Sequence, residues 1–160
     1  MTIDTKKRRV LTYVLAIALP LAVGGLAALL TSGGMEEYKQ LNQPELAPPD
    51  WVFSVVWPLL YTLMGISSAM VYLSEDNCRS DALRVYLLQL FLNFGWTFLF
   101  FGLRLFLASF VWLVVLEAVI VVMIAMFFAV RPLAAYLQIP YFFWVAFAGY
   151  LNLAVYLLNP

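Results

Sequence analysis

Five long apolar stretches constrain this chain more than any other feature of its sequence. Each contains between 20 and 26 residues, and a helix needs about 20 mostly apolar residues to cross the hydrocarbon of a bilayer. The stretches cover residues 10–30, 51–73, 82–101, 107–130 and 133–158. We therefore predict an all-α protein, an integral membrane bundle of five transmembrane helices, in which residues 1–160 form a single domain.

The composition excludes several classes of soluble protein. Hydrophobic residues make up 65% of the chain and charged residues only 11%, whereas soluble domains contain roughly 25% charged residues. The net charge of zero argues against a nucleic-acid-binding protein. Histidine is absent and Cys78 is the single cysteine, so we expect neither a structural zinc site nor a catalytic site built on histidine.

The basic residues predict the orientation of the bundle. With the N-terminus inside, seven lysines and arginines fall on the inner side and two on the outer side, which agrees with the positive-inside rule. Four basic residues precede the first stretch, as in a signal peptide, but that stretch is too long for a signal and is read as a retained helix. We expect a bacterial cell membrane, with the N-terminus inside and the C-terminus outside.

One connection is much longer than the others. Residues 31–50, called the long loop below, join the first two spans and carry Glu36, Glu37, Glu45 and Asp50 against Lys39. Loops of this length in compact domains are usually binding loops or lids. The other connections are short, so consecutive helices should pack as antiparallel neighbours.

Aromatic and amide side chains recur at helical spacing on three of the spans. Each set falls on one face of its helix, and amides that faced lipid would lack partners, so the faces should point into the bundle. These faces consist of Phe53, Trp57 and Tyr61; Gln89, Asn93, Trp96 and Phe100; and Tyr141, Trp144, Ala148 and Asn152. They fit either plain helix packing, with asparagines joining helices, or a shared aromatic pocket.

Prolines and small residues favour the pocket modestly. Pro20, Pro58 and Pro140 fall inside spans, where each should kink its helix and leave space. On the first span, small residues recur every fourth position and permit close approach of another helix. This small-residue face could be an intramolecular contact, a dimer seam or a cavity wall. It consists of Ala16, Pro20, Gly24 and Ala28.

Glu117 is the only acid deep within a predicted span. Ionisable groups inside a membrane are functional candidates, so a small proton-coupled exporter that uses Glu117 is one hypothesis. A neutral or hydrogen-bonded carboxyl is the simpler interpretation. Proton-coupled transporters generally need several such groups, and here there is one.

Four segments resemble those of the translocator protein family, also called the tryptophan-rich sensory proteins or TspO/MBR. Pro20 with Gly24-Gly25 resembles the first helix of that family. The second-helix segment is Pro48-Pro49-Asp50-Trp51-Val52-Phe53 with Val56-Trp57, Leu60-Tyr61 and Met64-Gly65. The third-helix and fifth-helix segments are Gln89-Leu90-Phe91-Leu92-Asn93 with Trp96 and Phe100-Phe101-Gly102, and Pro140-Tyr141 with Trp144, Phe147-Ala148 and Leu151-Asn152.

The resemblance implies a membrane protein that binds porphyrins, sterols or other flat amphiphiles in a pocket covered by the long loop. It implies a role as a sensor or translocator, membrane lipid as surroundings, porphyrin or haem as ligand rather than obligatory cofactor, and a possible homodimer. Some relatives are credited with light-dependent porphyrin breakdown, for which Trp57 and Trp144 would be the candidates. The implied ligand-binding residues are Gly24, Phe53, Trp57, Tyr61, Asn93, Trp96, Trp144 and Ala148.

The long loop departs from the family pattern. Glu37, Gln43 and Leu46 stand where the family often has tryptophan, lysine and tryptophan, which alters the contacts available to porphyrin carboxylates. Tyr156 has no lysine or arginine after it, so a C-terminal sterol motif is not expected. Without histidine, strong ligation of haem iron is not expected either.

Overall fold

A computed structural model describes residues 3–160 of the chain, and the side chains from Thr5 onward. Its regular secondary structure is all helical, with no strand in that part of the chain. A π-helical turn, Phe98–Gly102, directly follows the fourth helix. In chain order the helices are α1 (Ile3–Leu30), α2 (Gly34–Tyr38), α3 (Asp50–Tyr72), α4 (Arg79–Thr97), α5 (Phe106–Val130), α6 (Pro132–Tyr136) and α7 (Ile139–Leu158).

The five predicted spans are confirmed. In the described part of the chain, five helical segments are long and apolar enough to cross a membrane. Their ends lie within a few residues of the predicted ones, because the apolar runs end where charges, glycines and prolines begin. The segments are Thr5–Leu30, Asp50–Tyr72, Arg79–Gly102, Phe106–Val130 and Pro132–Leu158.

The fifth span is not one continuous helix. It divides into α6 and α7 at Leu137 and Gln138, and Pro140 is in the first turn of α7. The prediction that Pro140 kinks the interior of a helix is therefore wrong. Proline has no amide hydrogen to bond the preceding turn but is well tolerated in the first turn, so it begins a new helix here.

Helix α1 packs against α3 at a point where the backbones nearly touch. A Cβ atom added to Gly65 would overlap the backbone of Ile17 and the carbonyl oxygen of Ala16. Only glycine fits at such a contact. The outer face of α1 is exposed along most of its length, including Leu15 and Leu29, so α1 is the wall of the bundle with most surface toward lipid.

The other long helices enclose the core. Helix α5 packs between α4 and α7, and one side of α5 contributes fully buried apolar side chains. Buried polar side chains come from α3, α4, α5 and α7, and three of them, Gln89, Asn93 and Asn152, are on the faces predicted to point inward. The fully buried apolar residues of α5 are Leu116, Ile120, Met123 and Phe127.

Candidate functional site: a cavity between α1, α3 and α4

A cavity of about 430 Å³ lies between α1, α3 and the end of α4, next to the long loop. Its lining divides into two unlike walls. Aromatic rings from α3, α4 and the π-helical turn form one wall, and small residues of α1 form the opposite wall. The aromatic wall contains Phe53, Trp57, Tyr61, Trp96 and Phe101, and the small-residue wall contains Gly24, Gly25, Ala27 and Ala28.

The planes of the central rings in the aromatic wall are inclined to one another by about 30°. The rings of Trp57 and Tyr61 have centroids 5.5 Å apart and planes 29° apart. The rings of Trp57 and Trp96 are 6.0 Å apart with planes 32° apart. Phe53, Trp57 and Tyr61 follow one another at four-residue spacing on α3, so one helix face supplies most of this surface. The result is an extended aromatic face that suits a flat ligand.

The small-residue wall explains why glycine occupies position 24. A Cβ atom added to Gly24 would overlap the ring of Tyr61. Of the three interpretations open for the small residues of α1, two hold at once, because the face is both an intramolecular contact and a cavity wall. At Gly24 the two walls are in contact, so the open part of the cavity lies beyond Tyr61, where Gly25 and Ala28 are also lining residues.

The cavity opens toward the lipid between α1 and α3. Among its lining residues, Leu21, Gly25 and Ala28 of α1 are exposed, and so are Ser54 and Pro58 of α3. These two sets face each other across the gap between the helices. Pro58 cannot donate to the carbonyl of Ser54, so one backbone acceptor is available beside the opening.

A chain of hydrogen bonds connects the aromatic wall to the buried core. The Tyr61 hydroxyl donates to Oδ1 of Asn93 at 2.9 Å, and Nδ2 of Asn93 donates to the Tyr141 hydroxyl at 3.1 Å. Tyr141 in turn donates to Oε1 of Gln89 at 2.8 Å. Asn93 therefore joins α3, α4 and α7, and both of its side-chain polar atoms are already bonded within the protein.

Asn152 of α7 forms hydrogen bonds to residues of α4 and α5. Its Oδ1 accepts hydrogen bonds from Nε1 of Trp96 at 3.2 Å and from the Ser109 hydroxyl at 2.9 Å. Its Nδ2 donates to the carbonyl of Phe106 at 2.7 Å. The indole of Trp96 is thus fixed by α5 and α7 while its ring forms part of the cavity wall.

Trp144 lies behind the aromatic wall rather than in it. Its ring packs edge-on against Phe53 at 5.8 Å and Trp57 at 6.4 Å. Its buried Nε1 has no hydrogen-bond partner among the described residues. Ala148, one turn further along α7, is buried in the core. Neither Trp144 nor Ala148 lines the cavity.

The long loop covers the end of the cavity. Tyr38 of α2 is buried, with its ring 5.8 Å from Phe100, 6.0 Å from Phe101 and 6.4 Å from Phe53. Met35, one turn earlier in α2, lines the cavity itself. The backbone of Gly34 lies directly against Phe101, where a Cβ atom would overlap it.

Ion pairs attach the long loop to the helices. Glu37 pairs with Arg104, which lies in the turn between α4 and α5 at a φ of 55°. Lys39 contacts Glu36 at 2.9 Å and Asp50 at 3.3 Å, and hydrogen bonds to these two carboxylates raise the pKa of Lys39. Both basic groups near the cavity are therefore already engaged by acids.

The structure separates the predicted ligand-binding residues into those that line the cavity and those that do not. Gly24, Phe53, Trp57, Tyr61 and Trp96 line the cavity, whereas Asn93, Trp144 and Ala148 stand behind it. Met35 and Phe101 also line the cavity, although neither was predicted as a lining residue. Phe101 has a weak signal, its place after Trp96 and Phe100, but Met35 depends on a short loop helix that no periodicity marks.

Glu117 is half-buried on α5 and takes no part in this cavity. Both of its carboxyl oxygens are buried without a hydrogen-bond partner in the described part of the chain. The cavity lining contains no charged side chain.

Comparison with known proteins places the chain in a family. A profile of the TspO/MBR family matches residues 16–158. The chain is 37% identical to "Tryptophan-rich protein TspO" of Chlorobaculum tepidum, over 96% of this chain and 99% of that protein. It is 34% identical to "Protein CrtK" of Rhodobacter capsulatus, over 86% of both chains. It is 35% identical to the human "Translocator protein", over 77% of this chain and 75% of that one. This integral membrane protein belongs to the TspO/MBR family.

Proposed function

We propose that this protein binds a flat amphiphile of the tetrapyrrole class in the cavity and acts as a membrane sensor or translocator of that ligand. The proposal rests on the arrangement of the aromatic wall and the small-residue wall on opposite sides of the cavity. The rings of Trp57 and Trp96, inclined by 32° to each other, lie opposite a wall of glycine and alanine, beside the point where Tyr61 contacts Gly24. A planar ligand would stack on the rings while the small residues leave room for its other face.

The size and polarity of the cavity support this class of ligand. Its volume of about 430 Å³ is within the range of roughly 300–1,000 Å³ that small-molecule sites occupy. Its lining is mostly apolar, as expected for the ring of a porphyrin. The carboxylates of a porphyrin would then lie near Lys39 and Arg104, where they would compete with Asp50 and Glu37 for these cations.

The chain offers no strong ligand for iron in this cavity. The sequence contains no histidine, and the lining has no cysteine and no tyrosine other than Tyr61, whose hydroxyl is bonded to Asn93. The thioether of Met35 is a neutral and weaker ligand. We therefore expect metal-free protoporphyrin to bind about as well as haem, since stacking and apolar contact would supply the affinity in both cases.

Quenching of tryptophan fluorescence on titration with protoporphyrin tests the proposal. Trp57→Ala should weaken binding strongly, because it removes the centre of the aromatic wall. Trp51→Ala is the matched control, since Trp51 is 67% exposed and does not line the cavity. Equal affinity of the two variants would refute the proposed site. A sterol titrated in parallel reports whether the cavity prefers aromatic planes to saturated ones.

A second candidate function is light-dependent breakdown of the bound porphyrin. The observation that favours it is the contact of Trp57 with both Trp96 and Trp144, which gives a cluster of three indoles with one face on the cavity. In such a reaction the macrocycle is oxidised and dioxygen is reduced, while the tryptophans relay single electrons. Trp144→Phe should slow bleaching under light and preserve porphyrin affinity, because Trp144 does not line the cavity. Bleaching at the wild-type rate in that variant would refute this function.

The direction in which the protein would move a ligand depends on how the protein is oriented in the membrane. We propose that the N-terminus and the α3–α4 connection face the cytoplasm of a bacterial cell, because the inner segments would then carry seven of the nine basic residues. The long loop would face outward. Labelling of Cys78 in the α3–α4 connection with a membrane-impermeant maleimide tests this, since intact cells should leave that exposed thiol unlabelled.

A further inference from the structure

The long loop is attached to the bundle a second time, at the end of α7. The backbone N–H of Asn42 donates to Oδ1 of Asn159 at 3.0 Å. In return, Nδ2 of Asn159 donates to the carbonyl of Asn42 at 3.0 Å. Nδ2 of Asn42 also donates to the carbonyl of Leu158 at 3.3 Å. Asn42 and Asn159, which are 117 residues apart in the chain, are called the clasp below.

The clasp satisfies backbone groups that a helix leaves open where it ends. The last four carbonyls of a helix have no partner within that helix. The side chain of Asn159 donates to the carbonyl of Val155 at 2.8 Å, and Asn42 supplies the donor for Leu158. A carboxamide has both donors and an acceptor, so each asparagine can bond the backbone of the other. The end of α7 is therefore capped by a residue of the long loop.

The clasp adjoins the part of the long loop that covers the cavity. Leu41 packs against the hydrophobic core, and its backbone N–H donates to the carbonyl of Tyr38 at 3.2 Å. Nε2 of Gln43 donates to the same carbonyl at 3.0 Å. Since Asn42 lies between Leu41 and Gln43, short-range contacts link the position of Tyr38 to that of the clasp.

The helix that holds the clasp also holds the aromatic wall. Asn152 of α7 accepts the hydrogen bond from Nε1 of Trp96. Asn159 follows Asn152 by seven residues, which is close to two helical turns, so the two asparagines have about the same angular position on α7. One side of α7 therefore positions both the wall of the cavity and the second half of the loop.

The clasp is more accessible to water than the Tyr38 contact is. Asn42 is exposed, whereas the ring of Tyr38 is buried. Water competes for exposed hydrogen bonds, so their net contribution to stability is small, and local opening of such a segment costs much less than global unfolding. The clasp can therefore open while Tyr38 remains docked and the bundle remains folded.

We propose that the clasp keeps the long loop closed over the cavity and so leaves the gap between α1 and α3 as the main route for ligand. With the clasp closed, Tyr38 undocks only if the segment after it moves as well. With the clasp open, α2 is held in the chain only from the side of α1, and it undocks more often. The route of the ligand rests on the function proposed above, whereas the attachment of the loop does not.

Hydrogen exchange measured by mass spectrometry tests the attachment without any ligand. Asn159→Ala removes the acceptor of the Asn42 amide, so the amides of residues 40–45 should exchange about fivefold faster, as expected from the loss of one hydrogen bond. Asn77→Ala is the matched control, because Asn77 is an exposed asparagine in the α3–α4 connection. Exchange at the wild-type rate in Asn159→Ala would refute the clasp.

Thermal unfolding separates a local role from a general loosening of the bundle. The hydrogen bonds of Asn42 with Asn159 and Leu158 are exposed, so the midpoint of Asn159→Ala should stay within about 3 °C of the wild-type value. A larger fall would overturn the proposal, because faster exchange in the loop would then reflect instability of the whole bundle.

Release of porphyrin to albumin in the surrounding water tests the route. Ala28 is exposed and lines the cavity at the gap between α1 and α3, so Ala28→Phe should slow release. When Asn159→Ala is added, the loop side becomes a second route and this slowing should be at least halved. Asn77→Ala added to Ala28→Phe should leave the slowing intact. Equal slowing in the two backgrounds would refute the assigned route.

Failure of this proposal is distinguishable from failure of the proposed function. If the protein binds no porphyrin, the route falls with that function, and hydrogen exchange in Asn159→Ala still decides whether the clasp holds the loop. If the protein binds porphyrin while Asn159→Ala exchanges at the wild-type rate, the clasp is wrong and the cavity remains the porphyrin site.

Discussion

The ring of Tyr61 forms part of the cavity wall while its hydroxyl donates a 2.9 Å hydrogen bond to Asn93 in the core. One side chain thus belongs to both the cavity wall and the network that joins α3, α4 and α7. The position of the aromatic wall is therefore fixed from behind, by groups that do not line the cavity.

Tyr61→Phe separates these two roles. The variant keeps the ring and removes the hydrogen bond, so the free energy of unfolding should fall by about 0.6–1.7 kcal/mol, the range for hydrogen bonds between membrane helices. Porphyrin affinity should change little. Unfolding in a denaturing detergent measures the first quantity, with Tyr150→Phe as control. Unchanged stability would mean that the Asn93 contact contributes nothing to the bundle.

Gly24→Ala should weaken porphyrin binding without unfolding the protein. The added Cβ would overlap the Tyr61 ring and force that ring into the cavity. Gly149→Ala is the matched control, because no atom lies within 4 Å of a Cβ at that position. Fluorescence titration of both variants measures the effect. Equal affinities would contradict the close contact between α1 and Tyr61.

Ala28→Phe should slow exchange of porphyrin between the protein and lipid vesicles. Ala28 is exposed and lines the cavity at the gap between α1 and α3, so a large ring there narrows the opening. Leu29→Phe, its neighbour on the lipid-facing surface, should exchange at the wild-type rate. Stopped-flow fluorescence gives both rates. Equal rates in the two variants would mean that the ligand passes elsewhere.

Tyr38→Ala should release the long loop far more than Glu37→Gln does. Tyr38 is buried among three aromatic rings, whereas an exposed ion pair such as Glu37 with Arg104 contributes about 0–1 kcal/mol. Trypsin cleavage after Lys39 measures the release, and cleavage after Arg84 in the same sample is the internal control. Similar cleavage of both variants after Lys39 would mean that the ion pair contributes as much to docking of the long loop as the Tyr38 ring does.

High pH should also release the long loop through Tyr38. Burial, and then the charge of Asp50, raise the pKa of Tyr38 above its usual 10.0. The neutral phenol is favoured when the loop is docked, so docking is fully stabilised below pH 10 and weakens as the pH rises through the raised pKa. The absorbance at 295 nm, taken as wild type minus Tyr38→Phe, follows this group. A midpoint at or below pH 10 would contradict the buried position.

The faces of the long helices were predictable because their physical causes are local. The spacing of Phe53, Trp57 and Tyr61 by four residues determines that they share a side of α3, and membrane burial determines that amides such as Asn93 face inward. The roles within that inward side were not predictable. Asn93 and Trp144 lie behind the cavity rather than in it, because the depth of a side chain depends on which helix packs opposite.

The π-helical turn and the long-range ion pair were also not predictable, and the reason is a different one. The π-helical turn after α4 adds a residue to the turn and sets the position of Phe101, and no sequence pattern marks it. The contact between Glu37 and Arg104 joins residues far apart in the chain. Such pairings follow from the final packing, so composition and spacing carry no signal for them.

The exposed opening between α1 and α3 bears on how fast the cavity would fill. A molecule that entered between Gly25 and Ser54 would come from the hydrocarbon, so its rate of encounter with the protein would follow its mole fraction in lipid. Its occupancy at equilibrium would not depend on that route, because its chemical potential is then the same in water and in lipid. Two membranes with the same aqueous level of such a molecule but different capacities to dissolve it would load this protein at different rates and to the same extent.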